Sequence, residues 1–97
     1  MRRAAKVDRN QSEIVTALRE VGATVQPLHA VGSGCPDLLV GYQGLNYTLE
    51  VKDGQAAKSS QKLTPAQVEW HEFWRGQVSV VNDVEAAFAA IGLTREK

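Results

Sequence analysis

The chain has 97 residues, enough for one hydrophobic core and not for two. At 43% apolar and 23% charged it has the composition of a globular protein, which excludes a disordered segment. Formal net charge is zero, so the overall field does not announce a nucleic-acid partner and any basic surface must be local.

No apolar run approaches the roughly 20 residues that span a bilayer, so no membrane partner is expected. The basic N-terminus has no apolar segment behind it and does not read as a secretory signal. A single cysteine, Cys35, rules out an internal disulfide and suits a reducing, cytoplasmic setting.

Residues 1–9 carry Arg2, Arg3 and Lys6 without periodicity and read as a mobile basic arm. From Asn10 to Val21, Ile14, Ala17, Leu18 and Val21 recur at helical spacing, with Asp8 or Asn10 as cap and Gly22 as terminator. Residues 23–29 favour a strand. Gly32-Ser33-Gly34 predicts a turn, and Asp37 to Tyr42 a short apolar strand. Gln43-Gly44 then turns the chain into the clearest strand, Asn46 to Lys52. Tyr47, Leu49 and Val51 share one of its faces, and Asn46, Thr48, Glu50 and Lys52 the other. A polar loop follows to Lys62. Thr64, Pro65 and Gln67 have the pattern of a capping box opening a helix, whose Ala66, Trp70, Phe73 and Trp74 predict a buried stripe ending at Gly76. Gln77 to Val81 reads as a strand. Asn82 is expected to cap a last helix with Val84, Ala87, Phe88 and Ile91 on one side.

The expected order is α-β-β-β-α-β-α: an α/β mixed sheet of about four strands flanked by helices, in one domain over 10–92 with a tail at 93–97. The strand-helix-strand unit predicts a right-handed parallel crossover.

Chemistry concentrates on two of these strands. Glu50 and Lys52 lie two apart and project from one face. Antiparallel pairing across Gln43-Gly44 sets Asp37 opposite Glu50, within a residue of register. Opposed carboxylates repel unless a positive charge sits between them. Asp37, Glu50 and the Val51 carbonyl form an oxygen-rich set suited to Mg²⁺ or Mn²⁺. Such an ion acidifies water and stabilises charge on a phosphodiester under attack, with Lys52 beside it to orient water or neutralise the phosphate. Glu13 borders the apolar stripe of the first helix, where it can look toward the sheet. Lys58, Ser59, Ser60 and Lys62 follow the catalytic strand, where phosphate contacts are useful.

The run Gly34-Cys35-Pro36-Asp37, followed by Glu50-Val51-Lys52, resembles the PD-(D/E)XK nuclease superfamily. Leu63-Thr64-Pro65-Ala66-Gln67, then Trp70-His71 and Gly76 before a strand, is similar to its VRR-NUC branch, which includes stand-alone phage-type enzymes. The resemblance covers residues 10–91. It implies a restriction-endonuclease-like fold and metal-dependent DNA cleavage, with Asp37 and Glu50 as ligands and Lys52 catalytic. Glu13 matches the superfamily's helix acid, and Gln67 the glutamine placed near the metal. Small stand-alone members are similar to Holliday-junction resolvases and tend to be homodimers. In a phage-encoded protein the setting would be the bacterial host's cytoplasm. Cys35 departs from the small or β-branched residue expected before Pro-Asp.

Blander roles compete for the same residues. Asp37 after proline suits a turn, Glu50 and Lys52 suit a solvated strand face, Glu13 suits a helix's first turn, and Gln67 completes a cap. His29 and His71 lack zinc-site spacing and read as incidental. A structure-selective endodeoxyribonuclease acting on branched DNA is the leading expectation. A weakly catalytic DNA-binding module and a small-molecule hydrolase are the rivals.

Overall fold

A computed structural model of the chain describes residues 9–93. Its elements are α1 (Gln11–Glu20), β1 (Thr24–Pro27), β2 (Leu38–Tyr42), β3 (Leu45–Val51), a 3-10 turn (Lys58–Gln61), α2 (Pro65–Phe73), β4 (Val78–Val81) and α3 (Val84–Ala90). The strands form one sheet in the order β1-β2-β3-β4. The first two pairings are antiparallel and β3–β4 is parallel, so the mixed α/β architecture is the one expected from the sequence. Among the described residues no helix is long and apolar enough to cross a membrane.

The β2–β3 hairpin sets everything else. Gln43 and Gly44 both adopt positive φ, 51° and 82°, as a two-residue turn between twisted strands requires. That tight turn fixes Leu38 opposite Leu49 and Tyr42 opposite Leu45. Because side chains alternate along a strand, the register sorts the hairpin into two faces. Leu38, Val40, Leu49 and Val51 are fully buried against Ile14 and Leu18 of α1 and Ala87 and Phe88 of α3. The opposite face carries Leu39, Thr48 and Glu50, and it meets α2.

Several local expectations change. Asn10 precedes α1 but makes no side-chain cap; its Nδ2 instead donates to the carbonyls of Lys52, 3.1 Å away, and Asn82, 3.0 Å away. The amide nitrogen is turned to two strand-end carbonyls, so one side chain ties together the exits of β3 and β4. Asp8 lies outside the described residues. The cap of α3 is Asp83, accepting the Ala86 N–H at 2.7 Å, and not Asn82. A helix begun one residue later directs Asp83 along the orphan N–H groups.

The buried stripe expected on α2 is not there. The helix buries no side chain completely; Phe73 is 71% exposed and Trp74 46%. The helix ends at Phe73, before Gly76, so Trp74 leaves helical register and stacks on half-buried Trp70, ring centroids 4.5 Å apart. Phe73, three residues beyond Trp70, is the last residue of the helix and stays exposed there.

Candidate active site

Asp37, Glu50, Lys52, Thr64 and Gln67 line one cavity of about 390 Å³, together with His29, Cys35, Ser60 and the 32–34 turn. The polar face of β3 is thus a cavity wall, and Glu50, 2% exposed, is among the most buried side chains of the protein.

Asp37 is held by the strand it faces. Continuing the β2–β3 register past Leu38–Leu49 brings Asp37 opposite Glu50 and Pro36 opposite Val51. Proline has neither an N–H nor room in a ladder. The regular ladder stops there, and the Asp37 side chain takes the Val51 N–H instead, its Oδ2 accepting it at 2.7 Å. In an antiparallel ladder a residue's N–H and C=O point to the same neighbour. The Val51 carbonyl therefore points toward β2, where Pro36 has no proton to give it. The Asp37 carbonyl accepts from Leu28 N–H at 2.7 Å, which fixes the incoming loop.

Gln67 joins the other two groups. Its Oε1 accepts from Lys52 Nζ and from the Thr64 N–H, each at 2.9 Å, and its Nε2 donates to Glu50 Oε2 at 3.1 Å. An ammonium and a backbone amide are donors only, so the atom between them is the oxygen and the amide orientation is fixed. Thr64 Oγ1 in turn accepts the Gln67 N–H at 3.2 Å, completing the capping box. The cap and the Glu50–Lys52 bridge operate at once through a single side chain.

The loop before Asp37 is locked against the same helix turn. Gly34 has φ +81°, and a Cβ there would collide with the Ala66 carbonyl. Cys35 sits beside it with its thiol pushed up by burial first, then by Glu50 and Asp37. The thiol is held protonated, the unreactive form.

The wall offers two carboxylates and the Val51 carbonyl as oxygen donors. Among the described residues no three His, Cys, Asp or Glu side chains converge as a metal cluster. Two buried carboxylates plus a carbonyl fit a hard divalent cation that keeps several waters, as magnesium does.

No family model matches the sequence, and no curated protein matches it. A solved structure described as "VRR_NUC domain" superposes with a TM-score of 0.67 at 32% sequence identity, covering 92% of this chain and 97% of that one. The chain belongs to the VRR-NUC family. The fold is restriction-endonuclease-like and the domain is of nuclease type.

In this VRR-NUC domain Asp37, Glu50, Lys52 and Gln67 come together and Glu13 does not. Glu13 is exposed on α1, which packs on the other face of the sheet, and it borders two shallower hollows. The residue after it, Ile14, takes the inward position, so Glu13 turns to solvent and its expected approach to the site is corrected. Lys58, Ser59 and Lys62 are exposed around the 3-10 turn, and Ser60 reaches the cavity wall. Arg2, Arg3 and Lys6 lie outside the described residues. His29, set aside as incidental, lines the cavity; no spacing rule signals a lone histidine eight residues before the acid it joins. Thr64 had only its capping signature.

Proposed function

We propose that this VRR-NUC domain is a metal-dependent endodeoxyribonuclease that hydrolyses phosphodiester bonds, with a preference for branched DNA. One observation carries the reading: Asp37, Glu50 and Lys52 share a cavity, two carboxylates beside one ammonium.

Asp37, Glu50 and the Val51 carbonyl are the residues that would hold Mg²⁺ or Mn²⁺. Such an ion, when bound, lowers the pKa of water and offsets charge on the phosphate. Lys52 contributes positive charge at the scissile phosphate, steadied by its bond to Gln67. Asp37 holds the end of β3 in place through Val51. Water is the attacking group in this reading, and burial pushes the Cys35 thiol up, away from the reactive thiolate.

Lys58, Ser59 and Lys62 are exposed near the cavity mouth and suit phosphate contacts, to which Arg2, Arg3 and Lys6 would add. A homodimer accords with the site-side apolar residues left open: Leu39, Val68, Phe73, Trp74 and Val80. Two copies also give two active centres, one for each strand of a junction.

Purified protein with Mg²⁺ or Mn²⁺, offered linear duplex, flapped, single-stranded and four-way DNA side by side, tests the reading. Cleavage is expected with either metal, fastest on a branched substrate. No cleavage of any of the four would overturn the nuclease, and equal rates would remove the structure preference alone.

A further inference from the structure

We propose that Thr64 is a positioning residue for DNA cleavage, acting through Gln67 on Lys52 and Glu50. The inference rests on the nuclease reading and adds to it a residue that touches none of the reacting groups.

Gln67 Oε1 receives two donors, the Thr64 N–H and Lys52 Nζ, and Gln67 Nε2 reaches Glu50. A long, flexible side chain loses several rotors to hold one such pose. What pins its start is the hydrogen bond from the Gln67 N–H to Thr64 Oγ1, and what pins its end is the Thr64 N–H. Thr64 therefore grips Gln67 at its backbone N–H and at the tip of its side chain. The grip points the amide nitrogen at Glu50 and the oxygen at Lys52. One amide thus bonds both groups, with Lys52 Nζ on its oxygen and Glu50 Oε2 on its nitrogen. Losing the Thr64 hydroxyl frees the Gln67 backbone end and lets the amide leave the bridge. Glu50 and Lys52 then lose their fixed separation. Position, not protonation, is what Thr64 controls.

An ordinary helix cap would influence only stability, and the bridge makes a different prediction. Four variants of the full chain separate the two: Thr64→Ala, Thr64→Ser, Gln67→Glu and Gln67→Ala. The measurements are thermal melting, kcat and KM on the best-cleaved DNA with Mg²⁺, and the Gln67 side-chain amide signal in a ¹⁵N–¹H spectrum.

Thr64→Ala should lower kcat roughly five- to tenfold, the scale of one hydrogen bond's net contribution, with KM unchanged and the Gln67 amide signal displaced. Thr64→Ser keeps the hydroxyl and should restore all three readings. Gln67→Glu keeps both cap bonds, so any fall in its melting temperature comes from the charge set against Glu50 and not from the cap. It replaces the donor to Glu50 with a like charge, and its kcat should fall more than that of Thr64→Ala. A Thr64→Ala protein that melts lower at unchanged kcat, measured well below its melting temperature, would overturn the proposal. So would an undisplaced Gln67 signal. Wild-type protein that cuts no DNA would remove the nuclease reading alone. The displaced signal in Thr64→Ala and its return in Thr64→Ser would still decide whether Thr64 places the amide.

Discussion

The Asp37 carboxylate accepts the Val51 N–H at 2.7 Å, so a candidate metal ligand also holds β3 beyond the end of the regular β2–β3 ladder. The two duties separate by substitution. Asp37→Asn keeps an acceptor oxygen for Val51 and should fold normally while losing cleavage. Asp37→Ala should lose cleavage and also cost about 1–3 kcal/mol, the penalty of an unsatisfied buried amide. Urea denaturation of both variants checks the difference.

Glu50→Gln removes a charge at constant size and should abolish detectable cutting. Lys52→Met should reduce the rate by roughly 10²-fold or more, the cost of one group that stabilises developing charge. Wild-type cleavage by Glu50→Gln under single-turnover conditions would refute the assignment of the site.

Mg²⁺ and Mn²⁺ should each support activity, and Ca²⁺ should support DNA binding with little cutting. Calcium is larger, tolerates irregular coordination and acidifies water less. Gel-shift and nicking assays run in parallel across the three ions test this, with excess chelator as the control expected to stop cleavage.

Gly34→Ala should be among the most destabilising changes outside the core. A left-handed backbone costs a non-glycine residue about 1–2 kcal/mol, and the new Cβ also strikes the Ala66 carbonyl. The total should exceed about 2 kcal/mol, lowering Tm by roughly 8 °C or more for a domain of this size. Gly44→Ala, with open space around its position, should suffer only the backbone strain.

Asp53 gives the fold an acid-sensitive tie. The Gln55 N–H first, then Arg9, hold its carboxyl below the ordinary value, with Arg9 Nε 2.8 Å from Oδ2. A lowered folded pKa means that the unfolded chain binds the proton more readily. The stabilisation is therefore complete above the ordinary carboxylate pKa and disappears as pH falls through the lowered one. Asp53→Asn should flatten the acid side of the stability curve, read as urea midpoints from about pH 6 downward.

Much of this arrangement was legible before any coordinates. Gln43-Gly44 permits one tight turn, and a two-residue turn leaves no freedom in register, so Asp37 opposite Glu50 could be read from the strand pattern. Thr64-Pro65-Ala66-Gln67 likewise announced a cap with local chemistry alone. Side chains that choose among distant partners were not legible. Asn10 abandons its helix for two carbonyls that arrive from Lys52 and Asn82. Trp70, Phe73 and Trp74 look like a core stripe, yet the face they could have covered is taken up by a polar cavity wall. Glu13 and Ile14 are neighbours in sequence, and only packing decides which one turns inward.

Asp37, Glu50, Lys52, Thr64 and Gln67 all fall in one unbroken stretch, running from the approach to β2 through the first turn of α2. The apolar backing comes largely from segments before and after it, through Ile14, Leu18, Phe88 and Ile91. The chemistry can thus travel as a cassette. Recombination breakpoints ahead of His29 and at the end of α2 would exchange the scaffold while leaving the reactive unit whole. Drift in the flanking helices would be filtered mainly for the shape of the surface that they press against the hairpin, and at Asn10 for its two bonds to the strand ends.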